Sequence, residues 1–199
     1  MNHAKRVKMK KTSFNKRKIE KLIRELIIQL GENPDREGLL GTPQRMADMY
    51  EEIFAGYCMN SELEISFSEE IDSIIAKDIQ FYSMCEHHML PFFGRIHIAY
   101  TPSGKVFGIS KLARLVEKYS KRLQIQERLT KQVADEIMKM GVKGVTVITE
   151  GEHLCMKMRG VRNDSTIITV ANRGLVEQND ARAHLLALIY DSKPKIHTV

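Results

Sequence analysis

An α+β fold with a mainly antiparallel sheet is what this sequence predicts, on three observations. The apolar residues of the first sixty or so positions recur at helical spacing. From about residue 73 the period changes: segments 73–82, 92–101, 143–150, 153–160 and 165–172 are rich in Ile, Val, Tyr, Phe and Thr with stretches of alternation, the pattern of strands. These strands are grouped around one helical pair instead of alternating singly with helices, so the βαβ crossovers of a parallel sheet are missing.

The elements follow in order. Ile19, Leu22, Ile23, Leu26, Ile27 and Leu30 predict a helix over 15–30, which Gly31 stops. Thr42 and Pro43 supply a cap and a first-turn proline to a second helix, whose inner stripe is Met46, Met49, Tyr50, Ile53 and Phe54 up to Gly56. Residues 57–72 read as connection. Between the second and third strands, Ser110 can cap a helix that turns Leu112, Leu115, Val116 and Tyr119 inward. A longer helix with Ile125, Leu129, Val133 and Ile137 follows and ends at Gly141, and a last helix is expected over 180–190. The expected division is a basic arm over 1–12, a helical region over 13–60 and a main domain over 61–199.

Composition bounds the function. The chain has 199 residues, 43% of them apolar, enough for a real core. The formal charge of +6 raises a nucleic-acid reading, but ten Lys and Arg against Glu20 and Glu25 crowd into residues 1–25. The remaining 21 basic and 23 acidic residues leave the body slightly negative, so the excess belongs to a solvated leading arm and no nucleic-acid partner is expected. No apolar run approaches the ~20 residues of a membrane span, and charges stand where a signal peptide has its apolar stretch. A cytoplasmic protein is expected, and its three cysteines (Cys58, Cys85, Cys155) are too few and too odd for a disulfide framework.

Those cysteines fit a metal better. Cys85-Glu86-His87-His88 offers a thiol and an imidazole three apart at a strand end; strand geometry would send them to opposite faces, so joint ligation requires a turn at 85–88. His153 and Cys155 are two apart in a strand-like segment and so would share a face. Zinc favours such sulfur and nitrogen donors in tetrahedral geometry, and three protein ligands leave a fourth position for water, the mark of a catalytic site. A closed structural site with four ligands is the other reading of the same residues.

Three stretches also resemble a known family. Cys85-Glu86-His87-His88-Met89-Leu90-Pro91-Phe92-Phe93-Gly94 is similar to the metal-site signature of GTP cyclohydrolase I. So is Gly108-Ile109-Ser110-Lys111-Leu112-Ala113-Arg114, continued by the run from Arg122 to Thr130, and so is His153-Leu154-Cys155-Met156-Lys157-Met158-Arg159-Gly160. The likeness covers about residues 17–190, with Thr42-Pro43-Gln44-Arg45-Met46 matching the family's N-terminal helix.

The resemblance implies a reaction and an architecture. Water activated by zinc attacks C8 of the guanine of GTP, the imidazole ring opens, formate leaves, and sugar rearrangement with ring closure gives 7,8-dihydroneopterin triphosphate, a step toward tetrahydrofolate or related pterins. Cys85, His88 and Cys155 would hold the zinc. His87 and His153 match the proton-transfer histidines, Glu127 the residue that reads guanine with Gln126 as helper, and Ser110 a serine near the ribose. Lys111, Arg114 and Arg159 match the triphosphate-binding positions, and Arg45 could act from a neighbouring subunit. The implied architecture is the tunnelling fold, with sheets of several subunits closing into barrels, a homodecamer of two pentamers, and sites at subunit contacts.

Departures from the family pattern are local. Ile167 and Val170 stand where hydroxyls are common, Val176 where an aromatic often sits, and Asp48 where some relatives have lysine. Cys58 matches no ligand position. Two other classes are weighed against the enzyme: a tunnelling-fold paralogue acting on another pterin or a deazapurine, which should lack this combination of metal triad, Glu127 and three cations, and a non-catalytic zinc module binding nucleic acid through the basic arm.

Overall fold

The computed structural model describes residues 14–59, 65–175 and 186–187. The expected arm over 1–12, most of the expected helix over 180–190, and Val176 lie outside them. The chain divides into two compact units between Asn60 and Ser61.

In the first unit, α1 (Lys16–Gln29) begins where the Asn15 side chain accepts a hydrogen bond from Lys18 N at 3.0 Å, satisfying one of the amides that a helix start leaves open. Gly31, at φ 84°, ends it in a conformation that costs glycine little. Ile23 and Ile27 are buried, whereas Leu22, Leu26 and Leu30 of the expected stripe are exposed on its flank. α2 (Thr42–Ile53) is capped by Gly41, so Thr42 is its first residue and not its cap, and Pro43 falls in the first turn, where no N–H is needed. The fully buried side chain of α2 is Ala47, while Met49, expected inside, is exposed. A 3-10 turn (Ala55–Tyr57) closes the unit, and Cys58 is exposed at its end.

The second unit runs β1 (Ile65–Ser68), β2 (Ile74–Cys85), β3 (Pro91–Thr101), β4 (Lys105–Phe107), α3 (Ile109–Ser120), β5 (Leu123–Gln124), α4 (Gln126–Lys139), β6 (Gly144–His153), α5 (Leu154–Lys157) and β7 (Ile167–Gly174). The main sheet has the order β5-β2-β3-β6-β7 and is antiparallel except for the short β5 beside β2. The expected α+β architecture is therefore present. β1 pairs with β4 in a second small sheet, which corrects the reading of 57–72 as connection: strands this short carry too few residues for their period to show.

Two local expectations are also corrected. Gly108, not Ser110, is the N-cap of α3, which leaves Ser110 exposed inside the first turn. β6 stops at His153 and the chain winds into α5, so 153–160 is not a strand. The β-branched residues that favour extension end at Thr149, and the Leu, Met and Lys that follow favour a helical turn.

The core lies on one face of the sheet. Phe92, Ile96, Ile98 and Tyr100 of β3 and Val145 and Val147 of β6 share that face by their period of two, and bury against Leu112, Leu115 and Val116 of α3 and Leu129, Val133 and Ile137 of α4. Each such side chain contributes about 1.5–3 kcal/mol on burial, so the six helical residues hold α3 and α4 onto the sheet. On the opposite face His97 is buried; its Nδ1 accepts from Asp78 N at 3.2 Å, where a bulge in β2 takes Asp78 to φ 58°. Among the described residues no helix is long and apolar enough to cross a membrane.

Candidate active site

Three segment ends converge at one end of the sheet, and strand register is the reason. β2 and β3 form a hairpin whose connection is Glu86–Leu90, closed by Cys85 N to Leu90 O at 2.9 Å and Met89 N to Cys85 O at 2.8 Å. This is the turn that joint ligation requires; it brings Cys85 Sγ to 3.9 Å from His88 Nδ1. Met89 takes φ 51°, an uncommon left-handed conformation for a residue with a side chain, within that connection. Antiparallel pairing of β3 with β6 sets Phe92 opposite His153, so α5 starts beside the hairpin and delivers Cys155 there. β5 runs along the end of β2, with Glu86 N donating to Gln124 O at 3.0 Å, and brings the start of α4 to the same place.

The result is a group of donors. The ligand atoms of Cys85, His88 and Cys155 all lie within 4.8 Å of one another. Burial and the neighbouring Cys85 thiol push the Cys155 thiol up, a penalty on paired thiolates that a divalent cation between them reverses. The donor set therefore suits zinc: two thiols and one imidazole, one donor fewer than the four of a closed structural site. Arg159 Nη1 sits 2.8 Å from His88 Nε2, which must accept because guanidinium cannot. His88 Nδ1 then carries the hydrogen that faces Cys85, and ligation through Nδ1 requires that hydrogen to move to Nε2 and Arg159 to let go.

The remaining expected residues fall into four places. His87 is exposed beside the thiol, its Nδ1 4.0 Å from Cys85 Sγ. The His153 ring stacks on Phe92 with centroids 4.8 Å apart and planes 2° apart, and its Nε2 lies 2.8 Å from Gln126 Oε1. Burial pushes His153 down in pKa, partly offset by the charge of Glu127. Glu127 is exposed in the first turn of α4, lining an open cleft of about 340 Å³ with Thr130, Lys131 and Val170. Gln126, expected to help Glu127 with the base, is 1% exposed, and its amide nitrogen is turned into the sheet. Ser110, Lys111 and Arg114 sit in the first turns of α3, where among the described residues neither Lys111 nor Arg114 makes a side-chain hydrogen bond or ion pair. Arg45 belongs to the first unit, where it donates to Thr42 Oγ1 at 3.1 Å.

Sequence reasoning missed the supports of this site. Arg128 donates to both carboxylate oxygens of Glu86, one contact at 3.0 Å, and this tie joins the hairpin connection to α4; the guanidinium holds the Glu86 carboxyl below its ordinary pKa. The signal was an opposite-charge pair inside the two quoted motifs. Gly151 is the second support, since a Cβ there would collide with Gln126 Oε1. Ile167, one of the departures, serves through its backbone carbonyl, which accepts from Gln126 Nε2 at 2.8 Å, so that contact does not depend on its side chain.

Comparison with known proteins agrees with this geometry. The family model for GTP cyclohydrolase I matches residues 19–190. The chain is 54% identical over 169 residues to the GTP cyclohydrolase 1 of Hyperthermus butylicus, covering 84% of this chain and 87% of that one. It is 53% identical over 183 residues to that of Pelotomaculum thermopropionicum (88% and 97% covered) and 52% identical over 187 residues to that of Carboxydothermus hydrogenoformans (90% and 97%). With a match of this extent joined to a Cys-His-Cys donor group at the converging strand ends, the chain belongs to the GTP cyclohydrolase I family.

Proposed function

We propose that this chain is a zinc-dependent GTP cyclohydrolase I, converting GTP and water to formate and 7,8-dihydroneopterin triphosphate at the head of tetrahydrofolate or related pterin synthesis. Family membership over nearly the whole chain supports the reaction. The observation that carries the chemistry is the cluster of Cys85, His88 and Cys155, with donor atoms within 4.8 Å of one another. These residues would hold the metal. Bound there, zinc supplies a Lewis acid that makes hydroxide available from water near pH 7.

The chain's own groups then divide the work. His87 and His153 give and take protons at the guanine ring nitrogens as the C8 bonds break. Glu127, exposed at its cleft, accepts two hydrogen bonds from the N1–H and 2-amino edge of guanine. Lys111 and Arg114, three apart in the first two turns of α3, present two uncommitted cations where the helix dipole also favours an anion, which suits a triphosphate. Arg159 joins them once it leaves His88, Ser110 stands near the ribose, and Arg45 acts from a neighbouring subunit.

Assembly belongs to the same proposal. Among the described residues β7 and the stretch of β2 before Met84 leave sheet edges without a partner strand, which supports pairing between subunits. The sheets then close into barrels in a decamer of two pentamers, with residues 1–12 as an arm, 13–60 as a helical region and 61–199 as the catalytic domain, in the cytoplasm. The test is direct: purified protein loaded with one zinc per chain is incubated with GTP while formate and pterin fluorescence are followed. Both are expected together, and absence of both at full zinc occupancy overturns the reading.

A further inference from the structure

A carboxamide with no solvent exposure to speak of, placed against a histidine of the site, carries an inference that rests on the cyclohydrolase reading and deepens it. Gln126 is the first residue of α4, and its side chain runs into the sheet. Its Nε2 donates to Thr149 O at 3.0 Å on β6, to Ile167 O at 2.8 Å on β7, and to Thr169 Oγ1 at 3.2 Å. Two of those acceptors are backbone carbonyls in strand ladders and can only accept. Turning the amide over would set Oε1 against both carbonyl oxygens and exchange two hydrogen bonds for lone-pair repulsion, at a cost of about 0.5–1.5 kcal/mol for each bond lost. The amide is therefore held with its oxygen toward His153.

That orientation decides the histidine. Gln126 Oε1 lies 2.8 Å from His153 Nε2 and can only accept, so Nε2 carries the hydrogen. Phe92, parallel to the ring at 4.8 Å, fixes the plane of the imidazole, and the amide oxygen fixes its rotation within that plane. Gly151 leaves the room in which the two side chains meet. Thr130 completes the cage by bonding Gln126 O, Thr149 Oγ1 and Thr169 Oγ1 at 2.8, 2.8 and 2.6 Å. Among the described residues Nδ1 of His153 meets no hydrogen-bond partner.

We propose that Gln126 is a positioning residue, which holds His153 as the Nε2–H tautomer and leaves Nδ1 as the nitrogen that exchanges protons with the substrate. Proton balance is simple on this arrangement. A proton taken from water or substrate enters at Nδ1 and leaves from Nδ1, while Nε2–H donates to the same amide oxygen in both states. An amide oxygen is too weak a base to take the proton onward, so transfer ends at His153, and no group has to reorient during it.

The test uses full-length, zinc-loaded protein with 15N-labelled histidine. Long-range 1H–15N correlation reports which ring nitrogen is protonated, with the His153 signals assigned by their loss in His153→Asn. The expected result is Nε2–H for His153 in the wild type. In Gln126→Leu a mixture of tautomers is expected, with kcat lower by about 10²-fold, the low end of what a positioned proton-transfer group supplies, and KM for GTP near the wild-type value. Gly151→Ala, which displaces the amide oxygen without removing it, should act in the same direction and keeps the test decisive if the Leu variant does not fold. A wild-type spectrum with the hydrogen on Nδ1 overturns the proposal, as does a rise in KM with unchanged kcat, which would return Gln126 to base reading. Wild-type protein that releases no formate from GTP overturns the cyclohydrolase reading and the catalytic half of this one, while the spectrum still decides the tautomer.

Discussion

The metal end of the site and the cation group on α3 are built in opposite ways. At the metal end most of the functional side chains are held in place: Cys85 and His88 by the hairpin backbone, Glu86 by Arg128, His153 by Phe92 and Gln126. In the first turns of α3, Lys111 and Arg114 have no such ties among the described residues. The difference follows from what each has to do. Ligation and proton transfer depend on distances of a few tenths of an ångström and on the tautomer, so they call for preorganised groups. Attraction of a polyphosphate needs charge at short range, which flexible side chains provide.

Substitutions should affect the two regions differently, most strongly at a metal ligand. Cys155→Ser is expected to lose stoichiometric zinc and activity together, well beyond the roughly 10–100-fold that loss of an outer support costs; metal analysis beside formate release checks this, and retained zinc would show that Cys155 is not a ligand. Arg128→Met should release Glu86 and the hairpin connection, lowering zinc affinity by about 10–100-fold in a chelator competition, with activity largely recovered at saturating zinc. Lys111→Ala and Arg114→Ala should leave zinc retention untouched and raise KM for GTP, each by about 10–100-fold for a lost hydrogen bond to a charged group worth roughly 1.5–3 kcal/mol. If these two variants also lost zinc, the two regions would not be separable.

The smallest effect lies away from both regions and separates acid loss of the fold from acid loss of the site. Burial pushes His97 down in pKa, against opposing pulls from Glu150 and Asp78. The folded state thus resists the proton that the unfolded chain takes up near pH 6.5, so this contribution to stability is full above that pH and is lost as pH falls below it. His97→Gln should flatten the fall of Tm between about pH 7 and 5, and an unchanged profile would show that His97 is not responsible.

Much of the molecule is legible along the chain because the information is local. Asn15 and Gly31 mark α1, the buried positions 129, 133 and 137 repeat at helical spacing, and Pro91 opens β3 after the hairpin connection. Elements of two to four residues escape such reading. β1 and β4 are too short to show a period, and α5 was hidden by reading 153–160 as a further strand, although the absence of β-branched residues from 150 to 160 was a usable sign.

Taken alone, the sequence determined the chemistry on offer: which atoms can ligate a soft metal, which can carry protons, and which stretches extend or coil, because donor type and local propensity are properties of residues and near neighbours. What each residue faces is set by long-range pairing. Gln126 and Glu127 are adjacent in the chain, yet one is turned into the sheet toward His153 and the other stands in an open cleft. That choice depends on the register of β6 with β3 and β7, a property of pairings between residues tens of positions apart, to which local spacing is blind.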